Sequence, residues 1–64
     1  MFVTVKSDTL RADQIRSVVV YEKQICIYFI RDHNNLYYTF EDNEERNTVY
    51  KEIIRQWKKA LEQQ

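Results

Sequence analysis

Apolar and polar positions alternate most cleanly between Ile25 and Phe40. Ile25, Ile27 and Phe29 alternate with Cys26, Tyr28 and Ile30; further on, Leu36, Tyr38 and Phe40 alternate with Tyr37 and Thr39. Two period-two runs of β-branched and aromatic residues around an Asx-rich break predict a β-hairpin, with Asp32-His33-Asn34-Asn35 as its turn. Phe2 to Lys6 predicts a short strand. Ile15 to Glu22 predicts another, because Val18-Val19-Val20-Tyr21 is too β-branched to sit well in a helix. Between them Ser7 to Asp13 carries Ser, Asp and Thr around Leu10 and Ala12, which reads as a loop or a single helical turn.

From Asp42 the period changes to that of a helix. Asp42 followed three positions later by Glu45 is a capping-box pattern. Glu44 and Glu45 lie at the positive end of the helix dipole, and Arg55, Lys58 and Lys59 lie toward its negative end. Tyr50, Ile53, Ile54, Trp57 and Leu61 form one apolar face, widened by Val49 and Ala60. The expected fold is therefore α+β: a three- to four-stranded antiparallel sheet with one C-terminal amphipathic helix packed on one face, in a single domain spanning 1–64.

The pattern also predicts which surfaces lack a cover. A helix of about 20 residues is roughly 30 Å long, whereas a six-residue strand spans about 20 Å. Trp57 and Leu61 then need shielding, either by the Leu10–Ala12 segment or by another chain. One helix covers one face of a sheet. With Ile25, Ile27 and Phe29 turned toward it, Tyr28, Ile30 and Tyr37 turn away, with Val18 or Val20 beside them. A wet sheet face normally reads polar, and this one reads amphipathic. Tyrosines on adjacent strands favour a homodimer or protein-partner surface over a scatter of single exposed residues. Tyr28, Ile30 and Tyr37 are the expected contact centre, with Trp57 and Leu61 as a second anchor.

Composition narrows the choices. At 64 residues the chain can bury only about 60% of the surface that it exposes when unfolded, which leaves no room for a deep catalytic cleft. Hydrophobic residues at 44% and charged residues at 31% belong to a globular protein. Ten basic and ten acidic residues cancel, so no global field draws the chain to nucleic acid or to an anionic membrane. The early charges after Met1 do not read as a signal peptide or a membrane span, and the lone Cys26 fits a reducing compartment, so a cytoplasmic location is expected. There is no glycine and no proline. Turns are therefore expected at Lys6–Asp8, Glu22–Gln24 and Asp32–Asn35, built from polar residues, of which Asn and Asp best tolerate positive φ. Phosphate-cradling glycine loops are excluded.

Candidate chemistry is sparse. Cys26 and His33 are the only soft metal ligands, too few for a zinc site. The acidic run at Glu41, Asp42, Glu44 and Glu45 is accounted for by helix-start electrostatics. A strand-embedded thiol without a basic neighbour is a poor nucleophile. No catalytic residue, metal, cofactor or small-molecule substrate is expected, and the chain reads as non-enzymatic. The rival reading is single-stranded nucleic-acid binding. Tyr28 and Tyr37 would stack bases, with Arg16, Lys23 and Arg31 meeting phosphates, and a basic stripe of Lys51, Arg55, Lys58 and Lys59 runs along the helix.

The order of strands followed by one C-terminal helix resembles the β4α single-stranded-DNA-binding coactivator domain. Over Ile15 to Ile54 the apolar pattern is also similar to that of the short FlbD-like flagellar proteins. The basic, glycine-containing strands of the first and the glycine turns of the second have no counterpart here, so no residue role is carried over from either.

Overall fold

The structure is a computed structural model that describes residues 2–31 and 34–62. It is α+β, with two antiparallel sheets and one C-terminal helix. Strands β1 (Phe2–Val5) and β2 (Asp8–Arg11) pair as a hairpin. A 3₁₀ turn (Ala12–Gln14) leads into β3 (Ile15–Tyr21), which pairs with β4 (Gln24–Phe29), and β4 pairs with β5 (Leu36–Thr39). Helix α1 runs from Asn43 to Glu62. At 1.5 Å per residue it is roughly 30 Å long, close to the 34 Å long axis of the molecule.

Two expectations change. The sheet of three to four strands is instead two sheets, of two and three strands. The segment read as a loop or helical turn at Ser7–Asp13 contains strand β2 and then the start of the 3₁₀ turn. Asp8-Thr9-Leu10-Arg11 has one apolar side chain and no alternation of its own. It is extended because Val3 pairs with Leu10 and Val5 with Asp8 across the hairpin, so partner pairing overrides weak local propensity.

The reversals are tighter than predicted. Val5 pairs with Asp8 and Tyr21 with Gln24, so Lys6-Ser7 and Glu22-Lys23 are two-residue loops. Lys6 (φ 53°) and Glu22 (φ 52°) take the left-handed conformation at the first loop position, where glycine is the favoured residue. In a chain without glycine, Lys and Glu fill these positions rather than Asn or Asp. Of the expected Asp32–Asn35 turn, Asp32 and His33 lie outside the described residues.

The core joins all three parts. Val3 and Val5 of β1, Ala12, Ile15, Ile25 and Ile27 of β4, Tyr38, Phe40, and Ile53 and Ala60 of α1 form one buried cluster. The helix packs chiefly on β1 and the 3₁₀ turn, and more lightly on β4. Its start follows the predicted cap, with the Glu45 amide donating to Asp42 Oδ1 at 2.7 Å. Gln56 reaches from the helix to the outer edge of β1. Its side-chain Oε1 accepts from the Thr4 amide at 2.9 Å, and its Nε2 donates to the Thr4 carbonyl at 3.4 Å.

Candidate interaction surface

Strand register decides which side chains share a face. Across β3, β4 and β5 one row is Val18–Ile27–Leu36 and the next but one is Val20–Ile25–Tyr38. These side chains face the core or pack against it. The intervening rows belong to the opposite face: Ser17–Tyr28, Val19–Cys26–Tyr37 and Tyr21–Gln24–Thr39. The valine expected beside the tyrosines was Val18 or Val20. It is Val19, because a bulge between Ile15 and Ser17 adds a residue to β3 and resets its alternation.

Among the described residues nothing is laid over this outer face, which is rich in apolar and aromatic groups. Tyr37 is 63% exposed, Tyr21 67% and Val19 42%. Tyr28 is half-buried. Cys26 is buried despite its outward direction, flanked by Val19 and Tyr37 across the strands and by Tyr28 along its own. Tyr28 and Tyr37 are diagonal neighbours, because Tyr37 pairs with Cys26. Ile30 is exposed just beyond the end of β4, where its amide donates to the Gln14 carbonyl at 2.9 Å.

Electrostatics on this face centre on Tyr28. Its phenol is pushed above the ordinary tyrosine value, first by hydrogen bonding to the neighbouring Cys26 thiol, then by partial loss of water and by Tyr37; Arg16 pulls the other way. The Arg16 guanidinium lies 5.6 Å from the centre of the Tyr28 ring, a cation–π contact. On the opposite face, Tyr38 Oη donates to Asp8 Oδ2 at 2.8 Å. Burial, with the Asp8 carboxylate second, holds that phenol well above the usual range.

The remaining sequence candidates are dispersed. The helix-end anchor divides: Trp57 packs on the core and its indole N–H donates to the Ala12 carbonyl at 3.2 Å, whereas Leu61 is 44% exposed. The chain's own 3₁₀ turn is thus the cover at Trp57. Of the nucleic-acid candidates, Arg16, Tyr28 and Tyr37 come together. Lys23 sits in the β3–β4 loop, five residues along β4 from Tyr28, about 17 Å away at the usual strand rise. Arg31 is exposed beyond the other end of that strand. On the helix, Arg55 is engaged with Glu52, whose carboxyl it holds below the usual range by hydrogen bonding.

Val19 and Tyr21 were missed. Their exposure depends on the bulge, and three consecutive valines give no alternation from which to read a face. An open depression of about 450 Å³ lies beside the β3–β4 loop, lined by Glu22, Lys23, Gln24, Thr39 and Asn43. Among the described residues no three His, Cys, Asp or Glu side chains gather as a metal-holding group, and no helix is long and apolar enough to cross a membrane.

No family model, curated protein or solved structure matches the chain.

Proposed function

We propose that this chain is a small, non-enzymatic protein-interaction module that self-associates through the three-stranded sheet. The contact surface is the outer face, centred on Tyr28 and Tyr37, with Val19 and Tyr21 alongside and Ile30 at its margin. A single observation carries the reading. Val19 and Tyr21 of β3 and Tyr37 of β5 are exposed on the same face of one sheet, and nothing among the described residues is laid over them; tyrosine-rich apolar patches of this kind are characteristic of protein contacts. The balance of ten basic against ten acidic residues suits a protein partner better than a polyanion.

Sedimentation velocity across a concentration series tests this reading. Association is expected to rise with concentration and to weaken in Tyr28→Ser and Tyr37→Ser while the helical circular-dichroism signal persists. The competing nucleic-acid reading has one local feature in its favour, the stacking of Arg16 on Tyr28. It predicts instead that single-stranded oligonucleotides bind, with affinity that drops steeply as salt is raised. That outcome, with a monomer at every concentration, would overturn the protein-contact reading.

A further inference from the structure

The free edges of the two sheets are treated unequally. The outer edge of β1 is occupied by the Gln56 amide. Strand β2 is only four residues long and carries Asp8 and Arg11 at its ends, a common way of making an edge unattractive. At the edge of β5, Lys6 Nζ donates to the Thr39 carbonyl at 3.1 Å and lies 4.6 Å from the Phe40 ring, while Asp8 holds Tyr38. The edge of β3 has no such guard. It is seven residues long, the longest strand of either sheet, and from Ser17 to Tyr21 it carries no charged residue and no proline.

The direction of its backbone groups follows from the ladder. The Phe40 amide donates to the Lys23 carbonyl at 2.9 Å just past the end of β5, so by alternation Ile25 and Ile27 are the β4 residues that exchange hydrogen bonds with β5. Gln24, Cys26 and Tyr28 therefore bond to β3. Their partners Tyr21, Val19 and Ser17 point their amides and carbonyls toward β4, and Val18 and Val20 point theirs to the open edge. Among the described residues, nothing is paired with that edge.

We propose that two copies of this chain join edge to edge through β3, antiparallel about a two-fold axis at Val19, making one continuous six-stranded sheet. This rests on reading the chain as a self-associating module, and it adds to the contact through the outer face a second contact between copies, through the edge of β3. Val18 of each copy would exchange both backbone hydrogen bonds with Val20 of the other. The alternation of edge-pointing groups allows register to slip only in steps of two, and charge selects among the steps. With Val19 opposite Val19, Arg16 at the bulge falls nearest Glu22 in the β3–β4 loop of the second copy, at both ends of the pairing. Placing Val18 opposite Val18 sets Glu22 against Gln14, and placing Val20 opposite Val20 sets it against Val18. Neither neutralises the charge. In the chosen register Val19 meets its twin at a close, non-hydrogen-bonded position, and Tyr21 lies across Ser17 of the second copy toward Tyr28. Val19 and Tyr21 thereby gain cross-strand neighbours from the second copy.

The test combines amide exchange with sedimentation. The Val18 and Val20 amides should become more protected as concentration rises from about 10 µM to about 1 mM, more than any other exposed amide. Val19→Lys sets two like charges opposite each other at the axis and should raise the dimer dissociation constant by at least about tenfold. Arg16→Glu should also weaken the dimer, and adding Glu22→Arg should restore it, whereas a loss of fold would not be rescued by a charge on the far end of the strand. If Val18 and Val20 exchange independently of concentration, or Val19→Lys leaves intact a dimer that Tyr28→Ser dissolves, edge pairing is overturned and association through the face stands. A monomer throughout overturns both.

Discussion

The two faces of the three-stranded sheet are built from almost the same kinds of residue, yet they have opposite fates. The inner face holds Val18, Val20, Ile25, Ile27, Leu36 and Tyr38, and it is closed over by β1 and the helix. The outer face holds Val19, Tyr21, Cys26, Tyr28 and Tyr37, and apart from Cys26 it remains open or half-open to water. Tyr37 and Tyr38 make the contrast between adjacent residues, one 63% exposed and the other 8%. Hydrophobicity alone thus does not fix burial. What fixes it is the supply of covering elements, and among the described residues there is enough for one face of the larger sheet.

The largest expected effect comes from breaking that neighbouring pair in turn. Tyr38→Ala removes a buried ring and its bond to Asp8, so a loss of about 3–4 kcal/mol is expected in urea denaturation. Tyr37→Ala at dilute concentration should change stability by no more than about 0.5 kcal/mol. Equal losses at the two sites would mean that the faces do not differ as described.

A smaller effect isolates the hydroxyl of Tyr38. Tyr38→Phe should cost about 1 kcal/mol near neutral pH, the value of one hydrogen bond to a charged acceptor less the water that Asp8 regains. It should also change the alkaline limb of stability. The folded state holds the Tyr38 proton more tightly than the unfolded chain, whose phenol titrates near the usual value of about 10. Stability from this group is therefore complete below about pH 10 and lost as the pH rises toward the folded-state value. The Phe variant should lose less stability than the parent between neutral pH and about pH 11. Identical alkaline profiles would remove Tyr38 as the source.

The smallest effect concerns the loop that sets the register and hence the faces. Glu22→Gly relieves a left-handed non-glycine residue, which costs roughly 1–2 kcal/mol, but adds freedom to the unfolded chain worth roughly 0.5–1 kcal/mol. A net gain of about 0.5–1 kcal/mol is expected as a rise in melting temperature. The Arg46 bond to this loop is made to the Glu22 backbone carbonyl and survives the change. A loss of stability would show that the Glu22 side chain, and not its backbone, matters there.

The parts of this fold that were legible in the sequence are those governed by a local period. The helix and its Asp42 cap were readable because spacing and end chemistry agree. The two faces of β4 and β5 were readable from alternation, and with them the outward placement of Tyr28 and Tyr37. Strand β2 was hidden because its extended form is imposed by Val3 and Val5 across the hairpin, not by its own residues. The division into two sheets was hidden for the same reason, since the 3₁₀ turn at Ala12–Gln14 has no marker such as proline or glycine. On β3 the extra residue near Arg16 changes which valines point outward, and a bulge leaves no signature in a run of valines. That one inserted residue separated the expected outer face from the observed one.

Gln56 has a consequence for the way the molecule opens. Its side-chain amide presents a donor and an acceptor to the Thr4 peptide group as a neighbouring strand would, so a helical residue serves as a surrogate for an absent β-strand. Lifting the carboxyl-terminal half of the helix would uncover hydrophobic side chains and free a strand edge in the same motion. Fraying and aggregation risk are thereby coupled through one side chain, and faster exchange of the Thr4 amide in Gln56→Ala would report that coupling before any loss of the fold.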